Sequence, residues 1–278
     1  MKVKDDLFEL IKSLSASEKR YFKLSVSVQK GEKNYLRLFD AIDKQAVYND
    51  EEIKKAFSNS LFIKQLFRTK NYLYNLILKA LLIYHSGISA DAVLKNMICQ
   101  IEILFEKRLY VQCKKIIFKA KQLSDKYEKH LVLLELSNWE TRLIHMESFQ
   151  GKTTEEIEKL YEETFHIADK YLCSKKYEQL KAKMYVLVYK RDRVRNNADL
   201  IAYQELMNHS LLRSKNTTLP YHALHQLYSI YYVYYFARYD FVNAYSYAQK
   251  VVKLIEAHPH QISEDPPAYI NALHNLLV

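Results

Sequence analysis

Glycine is nearly missing from this chain. Gly31, Gly87 and Gly151 are the only three in 278 residues, and proline is limited to Pro220, Pro259, Pro266 and Pro267. Helices exclude both residues, whereas β-hairpins use glycine in their turns. The shortage therefore predicts long helices joined by short links. It also excludes glycine-rich phosphate loops and dinucleotide fingerprints, which need several glycines at fixed spacing. Neither a G-x-S-x-G nor an H-E-x-x-H sequence is present, so hydrolase and zinc-peptidase readings lack their motifs. Cysteine is scarce too. Cys99, Cys113 and Cys173 form an odd set without a C-x-x-C pair, which argues against a disulfide framework or a zinc site and for free thiols in a reducing compartment. Charges interrupt the N-terminal MKVKDDLFELIK too early for a secretion signal. The most apolar run, Leu227 to Ala237, falls well short of the roughly 20 residues that cross a bilayer. A cytoplasmic chain without catalytic residues, cofactor, metal or membrane partner is the expectation.

What the chain does have is charge and apolar periodicity. The net charge is +10. Residues 1–87 hold 16 Lys/Arg against 10 Asp/Glu, and residues 88–278 hold 26 against 22. Such a balance permits nucleic acid or an acidic partner and selects neither. Residues 1–87 read as a helical N-terminal cap. Leu7, Leu10, Ile11 and Leu14 make one stripe, and Ser15 with Glu18 makes a capping box that opens a second helix ending near Gly31. A third helix carries Tyr35, Leu38, Phe39 and Ile42. Asn49 or Asp50 caps a fourth with Ile53, Ala56 and Phe57. A long fifth runs from about Leu61 to about Tyr84, with Gly87 as its stop.

From about Ala90 the pattern turns repetitive. Hairpins of two helices are expected at 93–127, 131–170, 176–212 and 221–257, their second helices starting near Val111, Thr154, Asp199 and Phe241. A spacing of about 44 residues is a solenoid period. After Pro266 and Pro267, the segment AYINALHNLLV reads as the first helix of a fifth hairpin, with the array cut short there.

Within this region Tyr228, Tyr235, Ala244 and Val251, and again Met97, Leu104, Cys113 and Ala120, follow the large–large–small–small spacing of tetratricopeptide repeats, which the chain resembles over about residues 90–278. Tyr232 and Ile101 stand where that family usually has glycine, and its period is 34 residues. Residues 1–87 look more like the N-terminal regions of bacterial helical-repeat proteins. The resemblance implies an all-α fold in which the cap of residues 1–87 precedes a right-handed α-solenoid of antiparallel hairpins over 88–278. It also implies a groove that recognises a peptide or a partner's helix, and it makes Lys95, Ile98, Glu102, Phe105, Gln226, Ser229, Val233 and Phe236 groove-facing residues.

Three further features invite function. Tyrosine is abundant, 24 residues, with the densest cluster at Tyr228, Tyr231, Tyr232, Tyr234, Tyr235 and Tyr239. The repeat register makes it packing between helices more than a binding surface. The stretch 170–195 is basic, and Lys181, Lys190, Arg191, Arg193 and Arg195 form its candidate patch for an acidic partner or, as the alternative function, for nucleic acid in transcriptional regulation. Lys64, Arg68, Lys70 and Asn71 on the fifth helix permit a helix-turn-helix reading. His222 and His225, three apart, lack a nearby carboxylate or cysteine at ligand spacing, so an exposed or hydrogen-bonded pair is expected there.

Overall fold

The computed structural model describes residues 5–27, 34–58, 65–191, 194, 197–213 and 219–277. Among these the chain is all-α, with fifteen helices and no strand. It divides into two compact units, Met1–Ala92 and Val93–Val278.

The first unit contains α1 (Asp6–Ser13), α2 (Ala16–Ser27), α3 (Asn34–Lys44), α4 (Asp50–Ala56) and α5 (Leu66–Tyr84). Leu7, Ile11, Phe22, Leu38, Phe39, Ile42, Leu73 and Ile77 close its core. The capping box forms: Ser15 N–H donates to the Glu18 carboxylate at 2.7 Å, and Glu18 N–H donates to Ser15 Oγ at 3.3 Å. Asn49 Oδ1 accepts from the Glu51 and Glu52 amides and starts α4. Ala56, expected on an apolar stripe, is exposed, and Phe57 takes the buried position. Gly31, Leu61, Phe62 and Lys64 lie outside the described residues.

The second unit begins within α6 (Ala90–Glu106) and contains α7 (Tyr110–Lys126), α8 (His130–Met146), α9 (Thr154–Arg191), α10 (Asn197–Met207), α11 (Ser210–Arg213), α12 (Tyr221–Ala237), α13 (Phe241–Glu256), α14 (Pro259–Glu264) and α15 (Pro266–Leu277). Helices α7, α9, α10 and α13 start at Tyr110, Thr154, Asn197 and Phe241, so the starts fall 44, 43 and 44 residues apart. The expected link near 170–176 does not exist. Helix α9 runs unbroken for 38 residues, about 57 Å at 1.5 Å per residue. The segment from Tyr171 to Lys175 contains no glycine or proline, and beyond it Tyr177, Leu180 and Met184 continue a buried stripe at helical spacing. Helix α8 packs on α9, and α12 packs on α9 as well. Residues 181 and 185 of α9 line one cavity with residues 225 and 232 of α12. Val194 N–H then donates to the Ala237 carbonyl at 2.9 Å, so α12 runs in the direction of α9.

Most of the turns between helices use left-handed residues other than glycine, with Gly151 (φ 69°) joining Ser148 and Phe149 in the α8–α9 link. Arg108, Glu128, Ser148 and Tyr239 adopt left-handed backbone, φ 58°, 50°, 52° and 62°. Just past each of them an amide donates back across the helix end: Leu109 to Leu104, Lys129 to Ser124, Phe149 to Ile144 and Asp240 to Tyr235, at 2.8–3.1 Å. This six-residue closure satisfies the last carbonyls of each helix, a role most often supported by glycine. Pro259 opens the short helix α14.

Tyrosines fill the α12–α13 contact. The Tyr247 ring stacks on Tyr231 at 4.7 Å and on Tyr235 at 5.7 Å, and Lys250 Nζ lies 4.1 Å from the Tyr247 ring centre. Tyr231 Oη donates to the Leu212 carbonyl at 2.8 Å, tying α12 to α11.

Candidate binding groove on α9, α12, α13 and α15

Helix α9 enters its second half with a charge on its inner side. Lys181 lies four residues after buried Tyr177 and three before buried Met184, within the stripe that faces α12. The helix thus carries an ammonium toward the second unit's interior. Around it sits a cavity of about 180 Å³, walled by Lys181 and Tyr185 of α9, by His225, Ser229 and Tyr232 of α12, by Ala248 and Val251 of α13, and by Ala268, Asn271, Ala272 and Asn275 of α15. The small side chains of α13 and α15 leave this space open. Asn271 and Asn275 are one turn apart, which puts both amides on one face of α15.

A second cavity of about 300 Å³ adjoins the first and shares Tyr185, Tyr232 and Asn275 with it. Val188, Val233, Phe236 and Ala237 make the rest of its wall, so it is apolar and aromatic. Tyr232 and Phe236 stack at 5.8 Å along α12. The two cavities form one groove with a polar compartment and an apolar one. Such a mixture of apolar wall and a few convergent polar groups is the usual make-up of a binding site.

Burial sets the protonation of the polar compartment. Desolvation pushes the His225 imidazole down to about 4, helped by the nearby charges of Lys181 and His222 and opposed by Asp265, so it is neutral at pH 7. Desolvation also lowers Lys181, and Glu178 opposes it. The phenols of Tyr185 and Tyr232 are pushed up by burial and keep their protons. The Ser229 hydroxyl donates to the His225 carbonyl at 2.8 Å.

The sequence-derived residues are distributed unevenly over this geometry. Val233 and Phe236 come together in the apolar compartment, and Lys181 lines the polar one. Gln226 is half-buried on α12, and its Oε1 is buried without a hydrogen-bond partner among the described residues. Lys95, Ile98 and Phe105 lie on α6, which lines neither cavity. Lys95 is exposed and Ile98 half-buried. Phe105 packs inward, its ring 5.4 Å from Trp139 and 5.6 Å from Tyr110, with the Arg142 guanidinium 4.7 Å above it. Large neighbours on α7 and α8 pack against it and leave it half-buried. Lys190 is exposed near the end of α9. Arg191 is the last residue of α9, and Arg193 and Arg195 lie outside the described residues. On α5, Arg68 is exposed, but the Lys70 ammonium is held by the Asp5 carboxylate and by Tyr48 Oη.

Sequence reasoning missed Tyr185, Tyr232, His225, Asn271 and Asn275 as companions in one site. One signal pointed there: a lysine on an otherwise apolar stripe of α9. Among the described residues no group of three metal-ligating side chains converges, and no helix is long and apolar enough to cross a membrane. Cys99, Cys113 and Cys173 are free thiols, and burial pushes Cys113 and Cys173 upward. Compared with protein-family models, with curated proteins and with solved structures, the chain finds no match.

Proposed function

We propose that the second unit is a non-catalytic interaction module of the cytoplasm, a right-handed, tetratricopeptide-like stack of hairpins whose groove on α9, α12, α13 and α15 binds a peptide or a partner protein's helix. The observation that carries this reading is the pair of adjoining cavities with common walls at Tyr185, Tyr232 and Asn275. One compartment is apolar and aromatic, and the other is polar and holds a lysine. That pairing suits two neighbouring side chains of a bound segment better than it suits chemistry on a substrate. The helix starts spaced 44, 43 and 44 residues support the repeat reading. The free thiols fit a reducing compartment.

Display selection tests the proposal. Random peptides are selected on the intact chain and counter-selected on Tyr185→Glu, a substitution at an exposed wall position common to both cavities. Enriched peptides that bind the parent chain and lose at least tenfold on Tyr185→Glu are the expected result. Failure to enrich any sequence, or enrichment indifferent to Tyr185→Glu, overturns the reading.

A further inference from the structure

Six lysines are half-buried among the described residues: Lys19, Lys23, Lys70, Lys121, Lys129 and Lys181. Five of them rest on carboxylates. Lys19 meets Asp43 at 2.7 Å, Lys23 meets Asp40 at 2.6 Å, Lys121 meets Glu140 at 2.6 Å, Lys129 meets Glu264 at 3.2 Å, and Lys70 is paired with Asp5. Lys181 is the sixth, and among the described residues it forms no ion pair and no hydrogen bond. Glu178, one turn earlier, is exposed and sits on Lys175 at 2.7 Å. What Lys181 has instead is the Tyr185 ring, 5.7 Å from its nitrogen, and the open 180 Å³ cavity.

A partly desolvated ammonium without a counter-ion costs stability, which is why such lysines are normally paired. Among the described residues the wall contains no carboxylate, and its other polar groups are neutral: the amides of Asn271 and Asn275, the Tyr185, Tyr232 and Ser229 hydroxyls, and the His225 imidazole. Amides and phenols donate hydrogen bonds to an anion as readily as they accept them from a cation. Their number, with a single positive charge, matches a monoanion. A phosphate monoester carries nearly two charges and is usually met by several basic groups. Ala248, Ala268 and Ala272 leave room beside the ammonium for a short aliphatic stem, and the second compartment next door takes an aromatic or large aliphatic group.

We propose that the cavity at Lys181 is a carboxylate-binding subsite, filled by an acidic side chain of the bound segment whose neighbouring large apolar side chain enters the compartment of Val188, Val233 and Phe236. This rests on the groove reading above and adds the chemistry of its ligand. Lys181 supplies the opposite charge, and Asn271 and Asn275 supply donors on the facing helix. The same chemistry would accept a free organic acid.

The test uses 3-phenylpropionate, its uncharged amide, and a capped alanine-rich helical peptide carrying Glu and Phe four residues apart, with its Gln analogue. Each is titrated into the intact, isotope-labelled chain, and the side-chain amide signals of Asn271 and Asn275 are followed. The expected result is saturable binding of the acid in the millimolar range, at least tenfold tighter than its amide. Lys181→Met weakens the acid at least tenfold without moving the amide, and Lys181→Arg retains most of the affinity. Because Lys181→Met removes an unpaired charge, it folds with a thermal midpoint equal to or above that of the parent, and circular dichroism confirms the comparison. A Glu peptide at least tenfold tighter than its Gln analogue establishes a partner's side chain as the source. Binding of the free acid alongside indifference between the two peptides overturns that source. No saturable shift with the acid, or shifts equal for acid and amide or for parent and Lys181→Met, overturns the subsite. Display-selected peptides that bind Lys181→Met undiminished would do the same while leaving the groove reading intact.

Discussion

Glu128 caps helix α12 from 93 residues away: its Oε1 accepts the Tyr221 amide at 3.0 Å, and its Oε2 accepts the His222 amide at 3.4 Å. The α7–α8 turn that presents Glu128 also reaches α14 through Lys129 and Glu264, and through Tyr127 and His260, whose rings are 5.2 Å apart. In a simple linear array each repeat touches only its neighbours. Here the long helix α9 supports α8 and α12 alike, and the turn before α8 meets the start of α12 beside it. A carboxylate placed on free amides at a helix N-terminus satisfies two orphan donors and opposes the positive end of the helix dipole. Glu128→Ala is expected to lower stability by about 1–2 kcal/mol, and Glu128→Gln by less, since the amide oxygen still accepts. Thermal unfolding of the three proteins measures it. Equal midpoints would mean that the cap contributes nothing.

Lowering the pH should weaken the second unit before its carboxylates titrate. His225 in the folded chain titrates at about 4, against about 6.5 for an unfolded histidine. Between these values the unfolded chain binds a proton that the folded chain does not, so stability is complete above about 6.5 and falls as the pH drops toward 4. Desolvation shifts His130 in the same direction. The midpoint lost between pH 7 and pH 5 should be smaller in His225→Gln than in the parent. Equal losses in the two proteins would contradict this.

Arg108 occupies left-handed backbone at φ 58° with an exposed side chain. Glycine adopts that conformation without steric cost, and β-branched residues do so poorly. Arg108→Gly should raise stability by about 0.5–1 kcal/mol, and Arg108→Val should lower it by a similar or larger amount. Chemical denaturation curves of the two variants should therefore move in opposite directions.

The continuity of α9 gives a sharper contrast. Lys175 lies within the helix and pairs with Glu178 at 2.7 Å. In a link, proline at this position would cost little, but inside a helix it costs about 3 kcal/mol or more. Lys175→Pro should lose helical circular dichroism and a large part of its thermal stability. Retention of both would put a break where the structure has a helix.

The legible and illegible parts of this fold divide along a physical line. Helix starts are local: Ser15 with Glu18 and Asn49 with the amides of α4 form as read, because a cap involves residues two or three apart. The stripes of α1 and α3 were equally readable, since one face of each had to be buried. The break expected near 170–176 failed because a repeat period was imposed on a segment that contains no helix breaker. Glycine scarcity was read as short links, and the links are short, but beside Gly151 their left-handed residues are Arg108, Glu128, Ser148, Phe149 and Tyr239, which no glycine-based rule finds. The groove was the least readable. Lys181, His225 and Asn275 are brought together by helix packing across almost a hundred residues, and family spacing selected Phe105, which packs against Trp139 and Tyr110 instead.

The most direct measurement is amide chemical-shift mapping on the intact chain with a display-selected peptide. Binding in the groove predicts that the largest shifts fall on Tyr185, Ser229, Tyr232, Phe236, Asn271 and Asn275, and that Tyr185→Glu abolishes them. Shifts confined to α6–α8 or to the first unit, undisturbed by that substitution, would contradict the assignment of the groove as the binding surface.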